Sequence, residues 1–492
     1  MGVIQRQSIK SSIYNYTGVI IGFIYTGLLM PNYLTEGEIG AMRLIVTYAI
    51  VLAQLSSLGF NNVMIRFFPF FREDKNQKKK FLFLGFMVIT FGSLIVSTIF
   101  LIIKPIIIKS NLEESPIFST YFNLIWPVFI FMVFYNLLDA YARSNYYSTT
   151  GSFLKEFAQR ILILSVIILV VFNLINQPKL FYLYTIALCI PTLLIVIFLL
   201  TKNELKIKPA IPNISAALKK DMTRLAGYSI VTGFATLAVL QIDSIMVNQF
   251  FNEDLTGIYT INFFIGSLVI IPYRAVQRIA PAVVARAFKD DDLDTIAKIY
   301  HKSCLTQFAA GILILLGLWL NIDNIYRILP QEYAAGIYVI LLIGLANLIN
   351  MLAGISSEVI ANSKYYAYSA WFVGILVLLI VGFNLIFIPL WGISGAAFAS
   401  LLAMLIYAMA KFILLKSKFQ FQPYNFSFLI ILSFGIVTYL IVFFIPKFEN
   451  LYLNILWVSS ITTLLYLALV YFAKVIPDFN LIIAKFLNKK NK

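Results

Sequence analysis

The sequence predicts an all-α polytopic membrane protein, with 14 transmembrane helices arranged as two six-helix parallel-repeat bundles plus two C-terminal helices. Three observations predict it. Apolar runs of membrane-spanning length recur along the whole chain, basic residues alternate between the loops that join them, and the second half of the chain restates the first. The 492 residues are 61% hydrophobic and 12% charged, against roughly 45 to 50% and about 25% in soluble domains. A net charge of +16 would suit nucleic acid in a soluble protein, so the placement of the charges has to decide the partner.

Runs of about 20 apolar residues, the length needed to cross a hydrocarbon core of roughly 30 Å, fall near 11–31, 39–60, 81–103, 119–141, 153–174 and 180–200. A second set falls near 225–249, 256–276, 304–322, 333–356, 368–388 and 391–413, and two more near 426–446 and 451–473. The first run is too long for a cleavable signal, and no small-residue cleavage site follows it. With the N-terminus in the cytoplasm, most Lys and Arg residues fall in cytoplasmic segments, as in Lys78-Lys79-Lys80, Lys219-Lys220 and Lys489-Lys490. Outer segments hold Lys104, Lys109, Lys179, Arg327 and Lys447, with Arg43 just inside the second run. A misplaced helix would invert every later loop, so the alternation supports both the count and cytoplasmic termini. It also explains the charge with no nucleic acid.

The duplication is legible in three places. The run Glu36-Gly-Glu-Ile-Gly40 after the first span is answered by Glu253-Asp-Leu-Thr-Gly257, so that Gly40 aligns with Gly257 and Glu36 with Glu253. Asp139-Ala-Tyr-Ala-Arg-Ser-Asn-Tyr-Tyr147 is answered by Glu358-Val-Ile-Ala-Asn-Ser-Lys-Tyr-Tyr366, and Phe172-Asn-Leu-Ile by Phe383-Asn-Leu-Ile. Repeats of six spans enter the membrane in the same direction, which implies a pseudo-two-fold axis along the membrane normal and a central cleft. The expected organisation is an N-terminal lobe over 1–200, a basic cytoplasmic linker over 201–223, a C-terminal lobe over 224–415, and the last two spans with a basic tail over 416–492.

Other classes are disfavoured. Cys189 and Cys304 lie far apart in or beside apolar runs, which implies neither a disulfide framework nor a metal site. His301 reads as a loop residue, and no cofactor motif or phosphate-binding glycine loop is present. The acids of the Ala287–Ser303 segment precede an amphipathic pattern, which predicts a short interfacial helix on the cytoplasmic face. The outer loops are too short for a large catalytic domain.

The 6+6+2 plan with its basic middle linker resembles the multidrug/oligosaccharidyl-lipid/polysaccharide exporter superfamily (MATE-like), and within it the polysaccharide flippases of the O-antigen (Wzx) type. The residues that carry the resemblance are Glu36-Gly-Glu-Ile-Gly40, Leu58-Gly-Phe-Asn-Asn-Val-Met-Ile-Arg66-Phe-Phe, Asp243, and Asn384-Leu-Ile-Phe-Ile-Pro389-Leu-Trp-Gly392-Ile-Ser-Gly395-Ala-Ala397. It spans essentially the whole chain. It implies a transporter of the bacterial inner membrane, not an enzyme, that moves undecaprenyl-diphosphate glycans by alternating access. The implied partners are the lipid-linked oligosaccharide and membrane lipid, with contact to a polysaccharide polymerase or glycosyltransferases. Lipid II flippases are similar in plan but carry arginines in their first helix that this chain lacks, which points away from peptidoglycan precursor. A MATE-like cation or multidrug antiporter is the alternative; the acid it would favour in the first helix is absent, Thr26 standing at the position that matches Asp243. A membrane polymerase or ligase is a further alternative.

Charges inside spans are expensive and usually functional. Asp243, on a helix whose Ser229, Thr232 and Thr236 recur at helical spacing, is the candidate ion-coupling residue. A diphosphate head needs cationic compensation, which Arg provides with paired donors. Arg43, Arg274 and Arg278 are therefore the candidate substrate-binding residues, although Arg43 could also snorkel to the outer interface and the other two could simply set topology. Asp139 and Glu358 end equivalent helices, where an acid opposes the dipole and wants a basic partner, and are candidate gate or lobe-structure residues. Arg143 is one turn from Asp139, whereas Asn362 takes its place beside Glu358. Glu156 and Arg160 are an expected i,i+4 pair.

Overall fold

The computed structural model describes residues 3–111, 114–206, 208–277, 280–476 and 480. Every regular element among them is helical, and many of the most exposed side chains are apolar, including Leu378, Trp371, Leu464 and Ile102. Only a lipid solvent fits such a surface. Eleven helices among the described residues are long and apolar enough to cross a membrane, or twelve if one bent pair counts as a span. This is an integral membrane protein.

The chain packs as two compact units, Met1–Ile261 and Asn262–Lys492. In the first, α1 (Ile13–Tyr33) leads through a capping box, in which Thr35 and Glu38 exchange bonds, into α2 (Glu36–Ser56). Leu58 and Gly59, both at positive φ (45° and 71°), break the helix before α3 (Phe60–Phe67). Then come α4 (Lys75–Asn111), α5 (Pro116–Ser144), α6 (148–171), α7 (Gln177–Thr201) and α8 (Ala216–Phe250). The next helix, α9 (253–277), contains the division between the units. In the second unit follow α10 (Ala280–Lys289), α11 (Leu293–Leu320), α12 (Ile322–Ile328), α13 (Gln331–Leu352), α14 (Ser356–Asn362), α15 (Ala367–Phe419), α16 (Phe426–Phe443) and α17 (Leu451–Phe472).

Two expected spans differ in form. At 1.5 Å per residue a straight 53-residue α15 would be about 80 Å long, more than twice the hydrocarbon core. Its backbone leaves helical geometry at Trp391 and Gly392 (φ 62°, ψ −142°), which divides it at the border of the two runs 368–388 and 391–413. The run 153–174 lies on α6, whose first half is π-helical over Phe153–Ala158 and carries Lys155, Glu156 and Arg160 within six residues.

One local expectation is corrected. His301 lies within α11, which continues the amphipathic stretch into the span without a loop; its ring bonds the Pro423 carbonyl. The linker is irregular only as far as Ser215, whose hydroxyl accepts from Leu218 N and caps α8, so 216–223 is helix. That linker is held to unit 1: Glu204 pairs with Lys78, Tyr141 donates to the Glu204 carbonyl at 3.1 Å, and Asn213 N donates to Gln77 at 3.0 Å.

Candidate substrate and ion sites

The polar residues of α8 face α2. Gln241, Ser244 and Asn248 recur at three- and four-residue spacing and are all buried, one face of a helix by the usual periodicity. Thr47 on α2 donates to Gln241 Oε1 at 3.0 Å, and Ser115 donates to Asn248 Oδ1 at 3.0 Å. The side chain of Thr236 lies outside the described residues.

Arg43 points into this face. Its Nε donates to Ser244 Oγ at 3.2 Å and its Nη2 to the Leu240 carbonyl at 3.3 Å. The guanidinium is thus held on α8 and does not snorkel. Both acceptors are neutral, and no carboxylate lies within ion-pair distance of it among the described residues, so its charge is oriented without being cancelled by contact. Asp243 is 4% exposed and accepts from Tyr259 Oη on α9 at 2.9 Å. It lies near enough to bear on Arg43, together with Tyr184 of α7. From the sequence alone these two charges had separate roles; in the fold Asp243 acts on Arg43, and separate bonds hold Arg43 to Ser244, Thr47 to Gln241 and Asp243 to Tyr259. Sequence reasoning passed over those four partners, although the spacing of the α8 residues was there to be read.

At the start of α9, Glu253 is 2% exposed and accepts from the backbone N–H groups of Ile117 (2.9 Å) and Phe118 (2.6 Å). A carboxylate there satisfies two of the donors left over at the N-terminus of α5 and complements its dipole. Asp139 pairs with Arg143 at 2.9 Å. Its carboxyl is packed against Gly151 of α6, which fixes α5 against α6. The Glu156–Arg160 pair forms at 2.8 Å, and Arg160 also donates to the Gly18 carbonyl of α1 at 2.7 Å.

In the second unit, Arg274 is exposed near the end of α9, and Arg278 lies outside the described residues. Glu358 lies beyond span α13, on α14, after a turn at Gly354 (φ 55°). Asn362 donates to the Glu358 main-chain carbonyl at 2.8 Å, leaving the carboxyl to others. Burial pushes that carboxyl above the usual glutamate range, while Gln277 and Lys411 pull it back. Among the described residues no group of three His, Cys, Asp or Glu side chains is placed to hold a metal ion.

No protein-family model and no curated protein matches the sequence. Solved structures do match. Lipid II flippase MurJ in an inward closed conformation superposes with a TM-score of 0.74 at 16% identity, covering 95% of this chain and 99% of that one. An inward-facing multidrug resistance MATE family transporter of the MOP superfamily gives 0.65 at 14% identity, over 85% and 98%. An outward-facing one gives 0.53 at 14%, over 84% and 95%. The chain therefore has the helical fold shared by the MurJ flippase and the MATE transporters of the MOP superfamily.

Proposed function

We propose that the protein is a flippase for lipid-linked oligosaccharides, carrying undecaprenyl-diphosphate glycans from the cytoplasmic to the outer leaflet of a bacterial inner membrane by alternating access. The observation that carries this reading is Arg43. An arginine within a span, tied to neutral acceptors and partly exposed, offers an oriented cation to an anionic head group, and guanidinium matches phosphate oxygens with paired donors. The lipid anchor stays in the bilayer while the diphosphate passes. Arg274 and Arg278 receive the head group from the cytoplasm, and Asp243 couples the cycle to an ion gradient, where one charge moved through 100 mV supplies about 2.3 kcal/mol. Asp139 and Glu358 stabilise two lobes over 1–200 and 224–415, and polymerase or glycosyltransferases are the neighbouring partners. Ile13–Tyr33 holds no arginine, which supports a glycan other than peptidoglycan precursor.

A cation antiporter of this plan would be favoured by an acid in the first span, and Thr26 stands there instead, which favours the flippase over it. The test is reconstitution into proteoliposomes with labelled undecaprenyl-diphosphate oligosaccharide, lipid II and a cationic dye as parallel substrates. Movement of the oligosaccharide, reduced at least about tenfold in Arg43→Ala (a loss of some 1.4 kcal/mol), is expected. Export of the dye alone, or equal movement by Arg43→Ala, overturns the reading.

A further inference from the structure

The amine of Lys411 has no part in the proposed transport function. It is 2% exposed on α15, although a lysine normally extends its stem to keep the ammonium in water, and a buried ammonium persists only with partners. Nζ donates to Ser357 Oγ at 3.2 Å and lies 4.2 Å from the centre of the Tyr407 ring, a cation–π contact. The next residue after Ser357 is Glu358, the carboxylate that acts on this amine. In the first copy Asp139 is neutralised by its i+4 neighbour Arg143 in direct contact. In the second, Asn362 cannot supply the charge, and Lys411 supplies it from a different helix.

The pair is incompletely satisfied. Glu358 Oε2 and Gln277 Nε2 are both buried, and neither has a hydrogen-bond partner among the described residues. Gln277, on α9, stands beside the same carboxyl. A carboxylate oxygen without a donor, next to an ammonium and an amide held by other elements, is an arrangement that a proton on that oxygen completes.

We propose that the second unit carries a proton-binding site at Glu358, with Lys411 setting its affinity and Ser357 and Gln277 ordering the two groups. On uptake, a proton from water forms an O–H bond at Oε2, and the Glu358–Lys411 pair goes from neutral to singly positive. On release that bond breaks and the proton returns to water. Among the described residues, the other titratable groups around the carboxyl are Tyr273 of α9 and Tyr407 of α15. Cys304 of α11 lies on the Lys411 side. Arg274 of α9 is exposed, and Arg286 of α10, 86% exposed, is turned to Asp290. The site is distinct from the Asp243 cluster of the first unit.

The test uses the purified full chain in nanodiscs, with infrared difference spectra recorded across pH. A protonated-carboxyl band is expected with its midpoint above the ordinary glutamate range. Glu358→Gln removes the band, and Lys411→Met moves its midpoint up by about 1 to 3 pH units, as loss of a neighbouring opposite charge does. Thermal unfolding gives a second readout. A raised folded value means the contribution of Glu358 is complete below its unfolded value and is lost as pH rises through the folded one. Wild type therefore loses stability over that window and Glu358→Gln loses the slope. A band that survives Glu358→Gln, or that stays in place in Lys411→Met, overturns the proposal. If Lys411→Met does not fold, the Glu358→Gln spectra and slope decide alone. Neither readout needs transport, so the outcome stands apart from that of the flippase reading.

Discussion

Arg43, Asp243 and Tyr259 can be separated by substitution because each uses a different kind of interaction. Arg43→Lys keeps the charge but not the planar fork that spans Ser244 Oγ and the Leu240 carbonyl, so its transport rate is expected between those of wild type and Arg43→Ala. Tyr259→Phe removes the donor to a buried carboxylate. Losing a hydrogen bond to a charged group costs about 1.5–3 kcal/mol, and thermal unfolding should register the loss. Asp243→Asn keeps an acceptor for Tyr259 and removes the charge, so unfolding should change little while transport falls; unimpaired transport would remove Asp243 from the coupling. The sequence exposed these charges because a charge in an apolar run stands out. It hid Lys411, since a lysine near the end of a span reads as a topology signal whether or not its amine is buried.

At the scale of elements, the aligned glycines Gly40 and Gly257 meet each other. A methyl on Gly40 would come within 2.8 Å of the Glu253 carbonyl carbon and 3.0 Å of Gly257 N, and one on Gly257 within 2.7 Å of the Glu36 carbonyl carbon. Each glycine thus touches the acidic residue that precedes the other by four positions, so the two contacts are reciprocal. Gly40→Ala and Gly257→Ala must push main chain apart and should each lower stability by about 1–3 kcal/mol. Gly374→Ala on α15 meets nothing within 4 Å and should be neutral or stabilising by roughly 0.5–1 kcal/mol, a control measurable in the same unfolding assay. The N-terminus of α11 has its own pH dependence. Asp292 accepts from Thr295 N at 2.9 Å and Thr295 Oγ1 at 2.6 Å, bonds that hold its carboxyl below the usual range. Its small contribution is present above the unfolded value and lost as pH falls through the folded one. Helix beginnings such as Ser215 were missed for a related reason: apolar runs mark where a helix meets lipid, whereas caps mark where it starts.

For the whole molecule, apolar length carried most of the fold because a bilayer leaves few other solutions for the backbone, and basic alternation carried the expectation of sidedness. The turn at Trp391–Gly392 was legible because a straight helix of that length does not fit the membrane. The region around α6 tests the scheme hardest, since Lys155, Glu156 and Arg160 make 148–171 too polar for a simple span on composition. In the fold Arg160 is occupied by Glu156 and the Gly18 carbonyl, and Lys155 lies 5.3 Å from the Tyr135 ring centroid. These contacts remove much of the cost of crossing. If α6 spans the membrane, every later loop keeps its side; if it does not, all of them invert. Single cysteines placed at Lys179 and Lys447, in a background lacking Cys189 and Cys304, should react with an impermeant maleimide added outside intact cells. Cysteines at Lys75 and Lys219 should react only after the membrane is opened. Labelling at Lys75 but not Lys179 from outside would reverse all five spans before Lys179, labelling at neither would show that α6 does not cross, and labelling at Lys179 together with Lys219 would show that α7 does not cross. A correct outer signal at Lys179 with none at Lys447 would place the error in the second half of the chain, most directly at the break in α15.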